Sequence, residues 1–243
     1  MPDALPGTHN RRRIYLMRHG DVRYYDAEGK RVDTPDLVRL TEEGEAQAKR
    51  MADVLAGVPF DRACHTGLLR TEQTARLTLN GRDVPLGVVG DLREIHTGPV
   101  DALPEDCVED EYIYAFETAG QPGTRFARGE AFGDFYSRIS AGIQTLLVEP
   151  GWSRLLLVAH GGTNRAILSW LAGNGPEMMA LFEQDMCCLN IFDVDVDGGV
   201  IGRRHLRLIN QTPYNLDKER LFRTSLERGY GERGRRSDDS ALM

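Results

Sequence analysis

The chain has 243 residues, 41% of them hydrophobic and 28% charged, which is the composition of one ordinary globular domain able to bury a substantial core. Thirty basic against 37 acidic side chains leave a formal charge of −7 with no long basic run, which excludes the electrostatic footprint of a nucleic-acid or anionic-membrane binder. Four cysteines, at 64, 107, 187 and 188, lack a C-x-x-C spacing, which excludes a disulfide scaffold and a thiolate zinc site and points to reduced thiols.

Residues 1–12 read as a flexible leader with no apolar stretch of signal-peptide length, and Arg11 to Arg13 as part of a solvated tail. No run approaches the roughly 18 apolar residues of a membrane span, so a cytoplasmic location is expected. A short strand over Arg13 to Met17 follows. Thr41 is placed to cap a helix in which Ala48, Met51, Ala52 and Leu55 recur at helical spacing. A second strand ends near His65, a helix spans Leu68 to Leu79 and stops at Asn80-Gly81, and a third strand covers Leu86 to Val89.

From about 97 to 129 the pattern dissolves into Pro, Gly and acidic residues, the mark of a small cap insertion rather than core. Phe132 to Leu147 then forms a long amphipathic helix, Arg154 to Ala159 a fully buried strand, and Thr163 to Ala172 another helix. Cys187 to Val196 and Val200 to Leu208 read as a terminal hairpin. Residues 13–216 are thus expected to form one domain, and 217–243 a mobile polar tail with at most one short helix. Strands alternating with helices argue for an α/β fold, a three-layer sandwich around a mostly parallel central sheet.

In such sheets ligands gather beyond the carboxyl ends of the strands. Arg18-His19-Gly20 stands where the first strand runs out, and His160-Gly161-Gly162 repeats the arrangement after the buried strand. Arg70 falls in the first turn of a helix after the second strand, and Asp91 to Gly98 adds the carboxylate Glu94. Two arginines, two histidines and helix N-termini make an electropositive pocket suited to a phosphate. A neutral His19 with one ring nitrogen held by a carbonyl would attack phosphorus. Arg18, Arg70 and His160 would stabilise the equatorial oxygens, while Glu94 would protonate the leaving alcohol and then activate water. His65 and His96 are expected to shape the pocket, and Gly161 to let the backbone approach the phosphate.

Arg18-His19-Gly20, Leu68 to Ala75 (LLRTEQTA), Leu92 to Gly98 (LREIHTG), Gly129 to Phe135 (GEAFGDF) and Val158 to Gly162 (VAHGG) together resemble the histidine phosphatase superfamily, in its phosphoglycerate-mutase-like branch. Leu40 to Ala48 and Pro213 to Leu216 extend the ordered match over about 14–216. The resemblance implies an α/β fold, a nucleophilic His19, phosphate-binding Arg18, Arg70 and His160, a proton-donating Glu94, and no metal or other cofactor. The chain departs from the family at Val22 and Tyr25, where serine and asparagine are usual, at Asp21, at His65-Thr66, and at Pro99-Val100-Asp101. Tyr24, Tyr25 or Thr66 is expected to restore some of the lost hydrogen bonding to phosphate.

A metallohydrolase reading finds no H-x-H or H-E-x-x-H spacing and is opposed by the neighbouring arginines. A phosphate-sensing module without catalysis is opposed by the retention of both His19 and Glu94. Between hydrolysis and mutase chemistry, the cap offers only Arg125 and Arg128, without the paired arginines of the family's mutases, which favours a phosphatase. The expected partner is a small phosphorylated metabolite, with Tyr24, Tyr25 and residues 101–128 choosing the leaving group; a second copy of the chain is the other candidate partner.

Overall fold

A computed structural model describes residues 4–25, 32, 34–219 and 221–238. Residues 1–3 of the expected leader and 239–243 of the expected tail lie outside the described residues. In β1 (Arg11–Arg18), Ile14 and Leu16 join one apolar cluster, and Tyr15 and Met17 the other. In β4 (Arg154–Ala159), Leu155, Leu157 and Ala159 take the first side and Leu156 and Val158 the second. Strands apolar on both faces must be covered on both. Helices α1 (Glu42–Val54) and α2 (Leu69–Leu79) cover one face through Ala48, Met51, Ala75 and Leu79. Helices α3 (Phe132–Val148) and α4 (Gly161–Ala172) cover the other through Phe132, Phe135, Ile139, Ile143, Ala166 and Ile167.

β2 (Arg62–His65), β3 (Leu86–Val88), β5 (Leu189–Asp197) and β6 (Val200–Gln211) complete a six-stranded sheet in the order β3-β2-β4-β1-β5-β6. The first four strands run parallel, and β5 and β6 add the antiparallel hairpin. The α/β sandwich with a mostly parallel sheet is therefore present. β1 and β4 are neighbours with Arg18 opposite Ala159. The next residue of each strand, His19 and His160, consequently leaves the sheet side by side.

Four expectations are corrected. Residues 4–10 are not a free leader: Leu5 is buried, Leu5 N–H donates to the Arg11 carbonyl, and β1 begins at Arg11. Nor is the Arg11 to Arg13 cluster a solvated tail. Arg11 pairs with Asp195 (2.7 Å) and Arg13 with the fully buried Asp193 (2.6 Å), while Arg12 lies 4.8 Å from the Trp152 ring centroid. Each arginine finds its counter-group on an element that the sequence places far away.

The cap is a chain of short turns, Val100–Ala102, Glu105–Cys107, Glu109–Ile113, Ala115–Thr118 and Phe126–Arg128, yet it contributes to the core. Phe116 and Phe126 are buried and stack 5.4 Å apart, with Phe132 of α3 at 5.4 and 6.1 Å. Finally, the expected mobile tail carries a 14-residue helix, α5 (Ser225–Asp238). Thr224 and Glu227 cap its start reciprocally, Glu227 accepting from Thr224 N–H (2.5 Å) and Thr224 Oγ1 from Glu227 N–H (3.2 Å). Leu226 packs against the main core and Tyr230 against the cap.

Candidate active site

His19 is 2% exposed and its ring centroid lies 5.3 Å from that of His160, which is fully buried. His19 Nδ1 is 2.8 Å from the Gly20 carbonyl. A carbonyl only accepts, so Nδ1 carries the proton and Nε2 keeps its lone pair. Burial, then the charges of Arg70 and Arg18, push the His19 imidazole well below its ordinary 6.5, against a smaller upward pull from that carbonyl. The ring is therefore held neutral, the form a nucleophile requires. His160 is pushed down in the same way, by burial first and then by Arg70, His19 and Arg18.

Local packing fixes this loop. A side chain at Gly20 would put its Cβ 2.5 Å from the Gly44 carbonyl oxygen, and one at Gly44 would come within 2.2 Å of the Asp21 oxygen. Only this pair of glycines lets the first turn of α1 press against the segment after His19. Thr41 caps α1 by accepting from Gly44 N–H (3.0 Å), and Gly20 N–H donates to Thr74 of α2 (3.0 Å).

Arg18 donates to the Gln184 carbonyl (2.6 Å) and Arg70, 5% exposed, to the Pro35 carbonyl (3.0 Å). Arg18 Nε, Arg70 Nε and His160 Nδ1 are buried and, among the described residues, without a hydrogen-bond partner. Buried donors and acceptors of this kind are costly to leave unpaired, and two guanidiniums and an imidazole presenting them together suit an oxyanion. Gly161 leaves the space over Arg18: a Cβ there would stand 3.4 Å from the guanidinium carbon and from Nε.

Glu94 meets the N-terminus of α4. Its Oε2 accepts from Gly162 N–H (2.9 Å) and its Oε1 from Thr163 N–H (3.0 Å) and its own neighbour Ile95 N–H (3.0 Å). Gly162 permits this, since a Cβ there would lie 2.5 Å from Glu94 Oε1. With one N–H bond, Oε2 still has a lone-pair position open for a proton in transit.

Of the residues picked out in the sequence, Arg18, His19, Arg70, Glu94, Gly161 and Tyr25 line one cavity of about 920 Å³. Tyr24 stands over Arg70, 5.7 Å from ring centroid to guanidinium carbon, and His96 also lines the cavity. Two of the expected phosphate contacts, Thr66 and His160, are fully buried and are not among the residues that line the cavity: the Thr66 hydroxyl is taken up by His160 Nε2 (2.8 Å) and Thr71 Oγ1 (3.2 Å), while His160, its ring 5.3 Å from that of His19, keeps Nδ1 without a hydrogen-bond partner among the described residues. Thr66 thereby holds the His160 ring in place. His65 likewise turns away, its Nδ1 accepting from Gly67 N–H (3.2 Å). Among the described residues no group of three or more His, Cys, Asp or Glu could hold a metal ion, and no helix is long and apolar enough to cross a membrane.

Sequence reasoning missed the wall that α5 adds through Ser225, Leu226, Arg228 and Gly229. Tyr114 Oη donates to Glu227 (2.6 Å), Ser225 N–H to Glu183 (2.9 Å), and Arg228 and Lys218 both to Asp185 (2.9 Å each). Burial would raise the Asp185 carboxyl, but Lys218 and Arg228 outweigh it and hold the group below the usual carboxylate range. The signal for α5 was the T-x-x-E of Thr224 to Glu227.

A family model for the histidine phosphatase superfamily (branch 1) matches residues 14–206. The chain belongs to that superfamily, and with its named relatives it is an enzyme acting on phosphate esters. It is 30% identical over 186 residues to an adenosylcobalamin/alpha-ribazole phosphatase of Salmonella typhimurium, covering 75% of this chain and 90% of the relative. To a Yersinia pestis protein named probable phosphoglycerate mutase GpmB it is 29% identical over 162 residues, 66% of this chain and 74% of the other. Among solved structures, the alpha-ribazole phosphatase of Shigella flexneri superposes with a TM-score of 0.63 at 25% identity, over 82% of this chain and 96% of that one. A mycobacterial glucosyl-3-phosphoglycerate phosphatase shares the fold, with a TM-score of 0.64 at 22% identity over 82% and 99% of the two chains.

Proposed function

We propose that this enzyme is a phosphomonoesterase that hydrolyses a small phosphorylated metabolite through a phosphohistidine on His19. The observation that carries the reading is the set of buried, unpartnered atoms, Arg18 Nε, Arg70 Nε and His160 Nδ1, around a neutral imidazole. In the first step His19 Nε2 bonds to phosphorus as the ester P–O bond breaks, and Glu94 passes its proton to the departing oxygen, releasing the alcohol. In the second, the Glu94 carboxylate takes a proton from water while the resulting hydroxide bonds to phosphorus. The P–N bond breaks, inorganic phosphate leaves and Nε2 regains its lone pair. Arg18, Arg70 and His160 carry the charge of the equatorial oxygens throughout, and no metal is called on.

Two observations favour hydrolysis over phosphoglycerate-mutase-type transfer. Arg125 donates to the Gly129 carbonyl (2.8 Å), and Arg128 is doubly bonded to Glu111 (2.7 and 2.9 Å). Neither lines the cavity, so the cap presents no arginine pair to a substrate carboxylate. The four free cysteines support a reducing, cytoplasmic setting.

Acid-quenched labelling with a phosphate ester, with chelator present, tests the reading. An acid-labile, base-stable adduct that disappears in His19→Ala, together with loss of about three orders of magnitude in turnover, is expected. Turnover surviving His19→Ala would overturn the mechanism, and bisphosphoglycerate-dependent mutase activity would overturn the hydrolase preference.

A further inference from the structure

The cavity is far larger than its phosphate end requires. At about 920 Å³ it stands near the top of the range of roughly 300–1,000 Å³ that holds drug-sized ligands, and a phosphate with a three-carbon chain would leave most of it filled with water. Its apolar lining includes Val100, Tyr112, Phe116 and Phe126 of the cap and, from α5, Leu226. Phe126 stacks with both Phe116 (5.4 Å) and Tyr112 (5.5 Å). This assembly of rings is rigid, since Phe116 and Phe126 belong to the main core.

Charge argues in the same direction. Beyond Arg18 and Arg70, two of the guanidiniums that line the cavity are paired, Arg138 with Glu130 (3.0 Å) and Arg165 with Glu183, while Arg228 shares Asp185 (2.9 Å) with Lys218. Arg165 also stacks over Phe116, 5.0 Å from its ring centroid. Among the described residues, the other two guanidiniums that line the cavity are Arg23, which is exposed, and Arg93, which is exposed yet donates to the Thr66 carbonyl (3.4 Å) beside the phosphate end. Among the described residues, a second anionic group at this wall would meet Arg138 and Arg165 already paired, whereas a flat uncharged group would meet the half-buried Tyr112 and Leu226.

We infer that the leaving group is bulky, planar and uncharged, seated between the cap rings and α5 while the phosphate reaches His19. This rests on the phosphatase reading above, and the test separates the two by measuring binding without turnover. Titration calorimetry on the full chain compares 2-(2-naphthyl)ethylphosphonate, propylphosphonate and 3-phosphonopropionate, none of which can be hydrolysed. The naphthyl compound should bind roughly thirtyfold or more tightly than propylphosphonate, and the carboxylate compound no tighter than propylphosphonate. Leu226→Asp and Tyr112→Ser should each cut the naphthyl-to-propyl ratio by about tenfold or more. Equal affinities, tighter binding of the carboxylate, or a ratio unmoved in both variants overturns the inference while leaving the phosphatase reading standing. Failure of all three phosphonates to bind removes both.

Discussion

Arg138 of α3 and Glu130, just before that helix, are joined by three hydrogen bonds, and between them they hold both flanks of Glu94. Arg138 donates to the carbonyls of Asp91 (2.8 Å) and Arg93 (3.0 Å), and Glu130 accepts from His96 N–H (2.9 Å). The pair touches no reacting atom under the proposed mechanism, so its effect should run through the proton donor. Arg138→Gln is expected to lower kcat about tenfold or more for alkyl phosphates, whose leaving oxygen needs a proton. For p-nitrophenyl phosphate, whose phenolate leaves without one, the change should stay within about twofold. Equal losses for both esters would show a general structural role.

Gly162→Ala tests the same carboxylate from the other side. The added Cβ would collide with Glu94 Oε1 at 2.5 Å, forcing the carboxyl off the α4 N-terminus. We expect kcat to fall by about two orders of magnitude while the inhibition constant for inorganic phosphate moves by less than about threefold. A steady-state comparison of the two constants decides the matter.

Thr66→Val removes the hydroxyl on which His160 Nε2 rests and leaves a fully buried ring nitrogen without that partner, while Thr71 Oγ1 keeps its bond to the Leu68 carbonyl (2.7 Å). Stability should drop by about 1–3 kcal/mol in urea unfolding. Phosphate should also bind about tenfold more weakly, because His160 is no longer held at its angle. Unchanged phosphate affinity would mean that Thr66 serves the core alone.

The two buried histidines set an acid limit. Both are pushed well below 6.5, by burial first, so as pH falls the unfolded chain takes up protons that the folded chain refuses. Their neutral burial costs nothing above about pH 6.5, and stability declines below it by about 1.4 kcal/mol per histidine per pH unit. Urea unfolding at pH 7.5, 6.5 and 5.5 should show this slope. Saturating inorganic phosphate should flatten it, since an anion beside the rings favours their charged form. Constant stability between pH 6.5 and 5.5 would contradict the pairing of burial with neutrality.

Much of the catalytic end was legible because its residues sit at strand termini, and strands apolar on both faces, such as Leu155 to Ala159, announce themselves. His19 and His160 follow such strands directly, and their adjacency needs only that β1 and β4 be neighbours. The chamber was not legible. Phe116 and Phe126 stand in irregular turns without period, and only their contact with Phe132 shows them to be core. α5 reads as polar tail because Gly229, Gly231 and its arginines give little helical drive of their own. It is held by partners on distant segments: Tyr114, Glu183 and Asp185. Thr66 was assigned to the ligand since nothing local distinguishes a hydroxyl facing substrate from one facing a neighbouring imidazole.

The adjacency of β1 and β4 bears on how the enzyme comes to life. β1 ends at Arg18 and β4 begins at Arg154, so the centre of the sheet closes only after most of the polypeptide has been made and a very long loop has paid its closure entropy. The helices can form earlier from local contacts, but none of them brings the imidazoles together. During refolding, regain of turnover should lag behind far-ultraviolet ellipticity and keep time with protection of the β1 and β4 amides from hydrogen exchange.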